Sequence, residues 1–301
     1  MYEVIYKLPN LIKTSIIPRP INGNKSPYLI YLNYYINGNN ICHSKAQKCC
    51  GLLAPEKELY ITQNPKNSKI KSLFKAQIAI CNDNNGNEQL IGINPDNGEI
   101  IAKSILNNNL LPQLYIKKGS LKSQYKFIKD KTKGINEKLE NNERNHSIFD
   151  FTAINNKTGK QMIIEVKSVV LADYENITEK EEKINKKKNI DISIGKKYNE
   201  KIAIFPKGFR AKKSDTISQR AIDHMKHLSK IAKETNIETY ILFVVMRDDV
   251  KELQPYIDDP LFVNTLKEIK ENNVNLLAIS TKFNSNGEIN LINNNLPIII
   301  P

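Results

Sequence analysis

Residues 161–171 constrain the fold more than any other stretch. In an extended strand successive side chains point to opposite faces. Ile163, Glu165, Lys167 and Val169 therefore share one face, and Met162, Ile164, Val166 and Val170 share the other. The second face is apolar apart from Ser168. Such a strand is built for burial, yet it carries a carboxylate and an ammonium on the same side. An isolated ion there costs several kcal/mol or more, so the pair needs partners or a metal ion.

The segment Ser147–Ile154 supplies a facing strand. Asn155-Asn156-Lys157-Thr158-Gly159-Lys160, between the two, has the residues of a turn, so the pair reads as a hairpin. It brings Asp150 beside Glu165. Two carboxylates and the main-chain carbonyl between Glu165 and Lys167 make an oxygen-rich place for Mg2+. A metal ion there would polarise a phosphoryl oxygen and acidify a bound water. Lys167 would orient that water and stabilise transition-state charge. Asp150, Glu165 and Lys167 are thus the candidate catalytic residues, with Asp150 and Glu165 as metal ligands. Asp…Glu-x-Lys is the signature of restriction-endonuclease-like nucleases. By itself Glu-x-Lys is also common on salt-bridged, half-exposed strands.

The 301 residues are enough for two domains with separate cores. Tyr28–Tyr35, Leu59–Thr62 and Ala76–Ile80 read as short strands broken by turns, which suits a small five-stranded barrel of the oligonucleotide-binding type. Turn clusters at Asn82–Asn87 and Asn94–Gly98 mark the boundary. The expected division is 1–84 for the barrel and 85–301 for an α/β domain. In the second part Glu99–Asn107, Asp215–Thr235 and Asp259–Asn272 have helical periodicity, and Tyr240–Met246 and Val274–Ser280 read as strands. Strands alternating with helices argue for a layered α/β (α+β) domain. Glu175–Lys201 is dense in Lys, Glu and Asn and reads as a charged insertion, at about 173–201.

The formal charge is +13, with 45 Lys and Arg against 32 Asp and Glu. That excess favours a polyanionic partner. A drift of codons towards Lys, Asn and Ile gives the same composition, as in Asn107–Asn109 and Lys186–Lys188. Without any run of eighteen apolar residues, no membrane-spanning helix is expected. Cys42, Cys49, Cys50 and Cys81 lack the separated pairs of a structural zinc site and fit a reduced compartment. The expected location is the cytoplasm, or the plastid stroma for an organelle-encoded chain. Lys66, Lys69, Lys71 and Lys75 form a basic loop that could track a phosphate backbone, with Tyr60 or Phe74 stacking on a base.

Ser147-Ile148-Phe149-Asp150-Phe151 and Glu165-Val166-Lys167-Ser168-Val169-Val170-Leu171 resemble the sugar fermentation stimulation protein A family. The likeness continues through Ile91-Gly92-Ile93-Asn94, Phe205-Pro206, Asp215–Arg220 and Leu242-Phe243-Val244-Val245-Met246-Arg247, and on to Asp259-Pro260. Near the start Arg19-Pro20 also fits, and His224 falls where the family helix carries a histidine.

The resemblance implies an N-terminal OB-fold and a C-terminal restriction-endonuclease-like, PD-(D/E)XK domain. It further implies a DNA-binding protein of low sequence specificity, linked to control of sugar metabolism, maltose in particular. A Mg2+-dependent nuclease is the alternative. Arg19, Lys66, Lys69, Arg220 and His224 are then the expected nucleic-acid contacts. Single- and double-stranded DNA both stay open as partners, and a homodimer stays open as the assembly. The chain departs from the family where Ser-Arg becomes Ser147-Ile148, where Ala221 replaces a glycine, and in the insertion at 175–201.

Overall fold

The computed structural model describes residues 3–24, 26, 28–45, 52–65, 72–82, 87–128, 146–173, 200–206 and 216–301. Lys66, Lys69 and nearly all of the charged insertion lie outside the described residues. The first strands are β1 Val4–Lys7, β2 Ile12–Ile17, β3 Leu29–Ile36, β4 Asn39–His43, β5 Glu58–Gln63, β6 Phe74–Asn82 and β7 Glu88–Gly92. Helix α1 Asp96–Asn107 follows, then β8 Lys122–Ile128, β9 His146–Ile154, β10 Gln161–Val169, β11 Ala172–Asp173 and β12 Lys201–Phe205. The remainder is α2 Gln219–Glu234, β13 Glu238–Val245, β14 Val250–Pro255, α3 Pro260–Glu271, β15 Val274–Phe283 and β16 Glu288–Asn293.

Strands β2 to β6 close into a five-stranded barrel. β2 pairs antiparallel with β3 and β5, β3 with β4, and β5 with β6. A parallel pairing of β4 with β6, Cys42 to Phe74 and His43 to Lys75, seals it. This is the strand order of the OB-fold. Leu32, Cys42, Ile61 and Phe74 are fully buried. The expected fold class is therefore the observed one.

The second unit is a seven-stranded sheet of order β1-β16-β15-β13-β10-β9-β8. Its centre is parallel, β10 beside β13 beside β15. Met162, Ile164 and Val166 pack with Ile101 and Ile105 of α1. Ile163 and Val169 pack with Ile222 and Met225 of α2 and Phe262 of α3. The two faces of β10 thus sort as the alternation requires, and helices cover both.

The two sequence-defined spans exchange a strand each. Val4–Lys7, inside 1–84, pairs with β16 of the large sheet. Glu88–Gly92, inside 85–301, pairs with β6 of the barrel. A buried amide network joins the barrel to the start of α1. Gln77 Nε2 donates to Thr62 Oγ1 at 2.8 Å, and Asn94 Nδ2 and Asn97 Nδ2 each donate to Gln77 Oε1 at 3.1 Å.

At the end of β13, Arg247 grips Asp249 through two bonds of 2.6 and 2.7 Å, and Lys201 Nζ adds a third at 2.7 Å. Burial alone would raise the Asp249 carboxyl, but the two cations hold it well below the usual carboxylate range. Arg247 ends the apolar run Leu242–Met246, and the sequence reading gave it no partner.

Helix α1 reaches β10 at a glycine. A Cβ on Gly98 would lie 2.0 Å from Ser168 Oγ and 3.0 Å from Ser168 Cβ. Ser168 Oγ in turn donates to the Pro95 carbonyl at 2.6 Å. Alanine normally gains about 1 kcal/mol over glycine in a helix, but overpacking costs roughly 1–3 kcal/mol. Gly98→Ala is expected to lower stability by about 1–2 kcal/mol in urea unfolding. A gain in stability would contradict the close approach.

Candidate functional site

The antiparallel ladder of β9 and β10 runs from Ile154–Gln161 to Phe151–Ile164 and stops there. Asp150 and Glu165 come next in register. The Val166 N–H, instead of bonding a β9 carbonyl, donates to Asp150 Oδ2 at 2.7 Å. A side chain has taken the place of the backbone, and the strands part at the two acids. In an extended strand a residue's C=O lies on the same edge as its N–H. The Val166 carbonyl therefore faces the same opening.

Glu165 is only 3% exposed. Its Oε1 accepts from Lys167 Nζ at 2.5 Å and also from His224 Nδ1. Its Oε2 is buried and has no hydrogen-bond partner among the described residues. Helix α2 places His224. Ala221, Ile222, Met225 and Leu228 bury its apolar face, and His224, on the flank of that face, meets the sheet. The imidazole also stands edge-on to Phe149, with centroids 6.2 Å apart. Burial by itself would raise the Glu165 carboxyl, but His224 and Lys167 hold it below its ordinary value. The Glu-x-Lys pair is thus a real ion pair, on a buried face rather than a half-exposed one.

Asp150 goes the other way. Burial first, and the Glu165 charge second, push its carboxyl up to about 6, against the pull of the Val166 N–H and Lys167. Glu99 on α1 adds to the rise. Glu99 accepts from Gln124 Nε2 at 2.9 Å. It is a third acidic group near the corner, which the sequence reading missed. Its only signal was a place in the first turn of α1.

Among the described residues no three or more His, Cys, Asp or Glu side chains gather closely enough to hold a metal by themselves. The donors at the opening are two carboxylates and a main-chain carbonyl. That set does not suit zinc. It does suit Mg2+ or Ca2+, which take oxygen ligands and keep water. The unpartnered Oε2 and the raised Asp150 carboxyl both fit a divalent cation between the acids.

The expected nucleic-acid contacts divide. His224 joins the acidic corner, bonded to Glu165. Arg220 is exposed one turn earlier and makes no ion pair among the described residues. Arg19 is exposed. Its Nη2 donates to the carbonyls of Ser26 and Leu29, at 3.0 and 3.3 Å, tying its own loop. Lys75 is engaged with Asp96 at 2.8 Å. Phe74 is fully buried and Tyr60 nearly so, so neither can stack on a base. Both faces of β5 are covered, which removes Tyr60 from the surface. Of the cysteines, Cys42 is buried and Cys81 partly so, and burial raises both thiols. Cys49, Cys50 and Lys71 lie outside the described residues.

A family model described as the sugar fermentation stimulation protein RE domain matches residues 173–287. That match starts after Glu165 and Lys167 in sequence. A sugar fermentation stimulation protein homolog from Clostridium beijerinckii is 26% identical over 276 residues, 91% of each chain. A homolog from Desulfotalea psychrophila is 29% identical over 42% of this chain and 58% of its own. A solved structure described as Pyrococcus furiosus SfsA in complex with Ca2+ superposes with a TM-score of 0.65. It covers 99% of this chain and 100% of its own at 18% identity, and so agrees in fold.

The Asp150 shift has a definite sign. Its carboxyl holds a proton more tightly in the folded protein than the ordinary value of 3.8 would allow. Without divalent cations the folded state therefore loses stability as pH rises from about 4 to about 6. Asp150→Asn keeps an oxygen for the Val166 N–H and removes the charge. It is expected to match the parent near pH 3.5 and to exceed it by roughly 1–3 kcal/mol near pH 7.5, measured by urea unfolding in EDTA. A variant less stable than the parent near pH 7.5 would contradict the electrostatic reading.

Proposed function

We propose, from the premise that the chain belongs to the sugar fermentation stimulation protein family, that it is a DNA-binding protein of low sequence specificity. In this reading the Asp150–Glu165 corner takes a divalent cation and, through it, a backbone phosphate. The observation that carries the cation is Glu165 Oε2, a carboxylate oxygen buried without a partner among the described residues. Asp150, Glu165 and the Val166 carbonyl would hold the ion. When bound, Mg2+ would supply the positive charge that draws in phosphate oxygens. His224 fixes the Glu165 carboxylate, and Lys167 sets an ammonium at the edge of the same opening. The formal charge of +13 supports a polyanion as the ligand. The relative described with Ca2+ supports an oxygen-liking cation. A part in control of sugar metabolism follows the family's name.

Cleavage is the second reading. Lys167 favours it, since its ammonium lies 2.5 Å from Glu165 with a side chain only 12% exposed. A fixed cation beside two carboxylates can stabilise charge developing on a phosphate.

Two experiments check these readings. Mg2+ or Ca2+ should raise the melting temperature saturably in the parent, and Glu165→Gln should abolish that rise. An unchanged melting temperature in the parent at millimolar cation would remove the cation site. In the other experiment, plasmid and single-stranded DNA are incubated with the parent and with Glu165→Ala in Mg2+ or Mn2+. Binding that weakens with salt is expected from the first reading. Cleavage by the parent alone is the outcome of the second. Binding intact with no cleavage in any condition leaves the first reading and sinks the second.

A further inference from the structure

We infer that Tyr28 and His43 form a base-stacking site for single-stranded nucleic acid on the outside of the barrel, and that a strand held there leads to the Asp150–Glu165 corner. The inference rests on the DNA-binding reading above and names the class of nucleic acid.

The site begins with two rings. Tyr28 and His43 lie stacked, with centroids 6.2 Å apart and planes at 28°. Tyr28 is 43% exposed, so ring surface remains accessible to a ligand. Among the aromatic residues of the barrel this pair meets the requirement that Tyr60 and Phe74 fail. His43 sits on the outer face by register, because its neighbour Cys42 is buried inside. The pair lies at the junction of β3 and β4, the second and third strands of the barrel. That is the face on which OB-folds take oligonucleotides.

The described residues around Tyr28 are bonded to one another and to the barrel. Arg19 bonds the carbonyls of Ser26 and Leu29. The Asn24 N–H donates to the Tyr31 hydroxyl at 2.6 Å, and the Ser26 N–H donates to Asn24 Oδ1 at 2.9 Å. The Ser44 N–H donates to the Tyr28 carbonyl at 2.8 Å, fastening the loop to the end of β4. A ring fixed before binding loses little freedom when a base lands on it. Arg19 acts here as a positioning residue rather than a phosphate contact.

Positive charge continues from the rings. Lys75 is the register partner of His43 on β6. Lys45 lies two residues past His43, the end of β4, and both lysines reach Asp96, at 2.5 and 2.8 Å. Two ammonium groups on one carboxylate leave one positive charge beside Asp96, ahead of Glu99 in the same turn of α1. Glu99 stands in that same first turn, and its neighbour Gly98 packs on Ser168 of β10, three residues past Glu165. Rings, lysines, the first turn of α1 and β10 are therefore joined by successive contacts. A single strand suits this track and a duplex does not, because paired bases keep their faces inside the stack whereas an unpaired base offers a face to an aromatic ring.

The test measures fluorescence anisotropy with a labelled oligo-deoxythymidine and with a duplex of equal length. Tyr28→Ala should weaken single-strand binding on the order of 10-fold and change duplex binding by less than about 2-fold. Tyr28→Phe, which keeps the ring, should bind like the parent. His43→Ala should repeat the selective loss, and circular dichroism melting of each variant confirms that it is folded. Equal weakening for both probes, or no weakening for the single strand, would overturn the inference and leave the DNA-binding reading standing. Failure of the parent to bind either probe would overturn that reading, and the inference with it.

Discussion

Glu165 is the charge on which the rest of this architecture depends. A carboxylate at 3% exposure in the middle of a sheet loses most of its hydration. It stays ionised because Lys167 and His224 both reach it. Both reach the same oxygen, and the other has no partner among the described residues. A buried acceptor with no donor costs roughly 1–3 kcal/mol and more when charged. Evolution can tolerate that cost where a further ligand completes the site. The parting of β9 from β10 belongs to the same design. Had the ladder continued past Phe151–Ile164, the backbone would have filled the gap that the two acids share.

The surrounding elements serve that corner. The apolar face of α2 docks the helix so that His224 reaches the sheet. The Gly98–Ser168 contact lets α1 lie close to β10, and the amide network of Thr62, Gln77, Asn94 and Asn97 fixes α1 against the barrel. The barrel and the acidic corner are thereby joined through one helix terminus. Phosphate contacts position a nucleic acid without reading its sequence, so the DNA binding proposed for this chain is of low specificity.

Much of this was legible in the chain. The alternation of residues 162–170 sorted both faces of β10 correctly, because a period of two is imposed by the pleat itself. The Asn/Gly turn placed Asp150 opposite Glu165 for the same reason. Other features depend on packing that no local pattern encodes. Tyr60 looked like a surface aromatic on a barrel strand, but the outer side of β5 is covered. Val4–Lys7 pairs with β16, nearly the whole length of the chain away. Glu99 approaches Asp150 only because α1 docks on β10. Tyr28 and His43 come together through a closed loop and a strand register, neither of which has a spacing to recognise. The charge of Arg19 is visible in the sequence, but its bonds to the carbonyls of Ser26 and Leu29 are not.

The most direct measurement is anomalous diffraction from crystals grown with Mn2+. A peak between the carboxylates of Asp150 and Glu165, with Glu165 Oε2 among its ligands, is the expected result. Peaks elsewhere only, with Glu165 still bonded just to Lys167 and His224, would contradict a cation site at the corner.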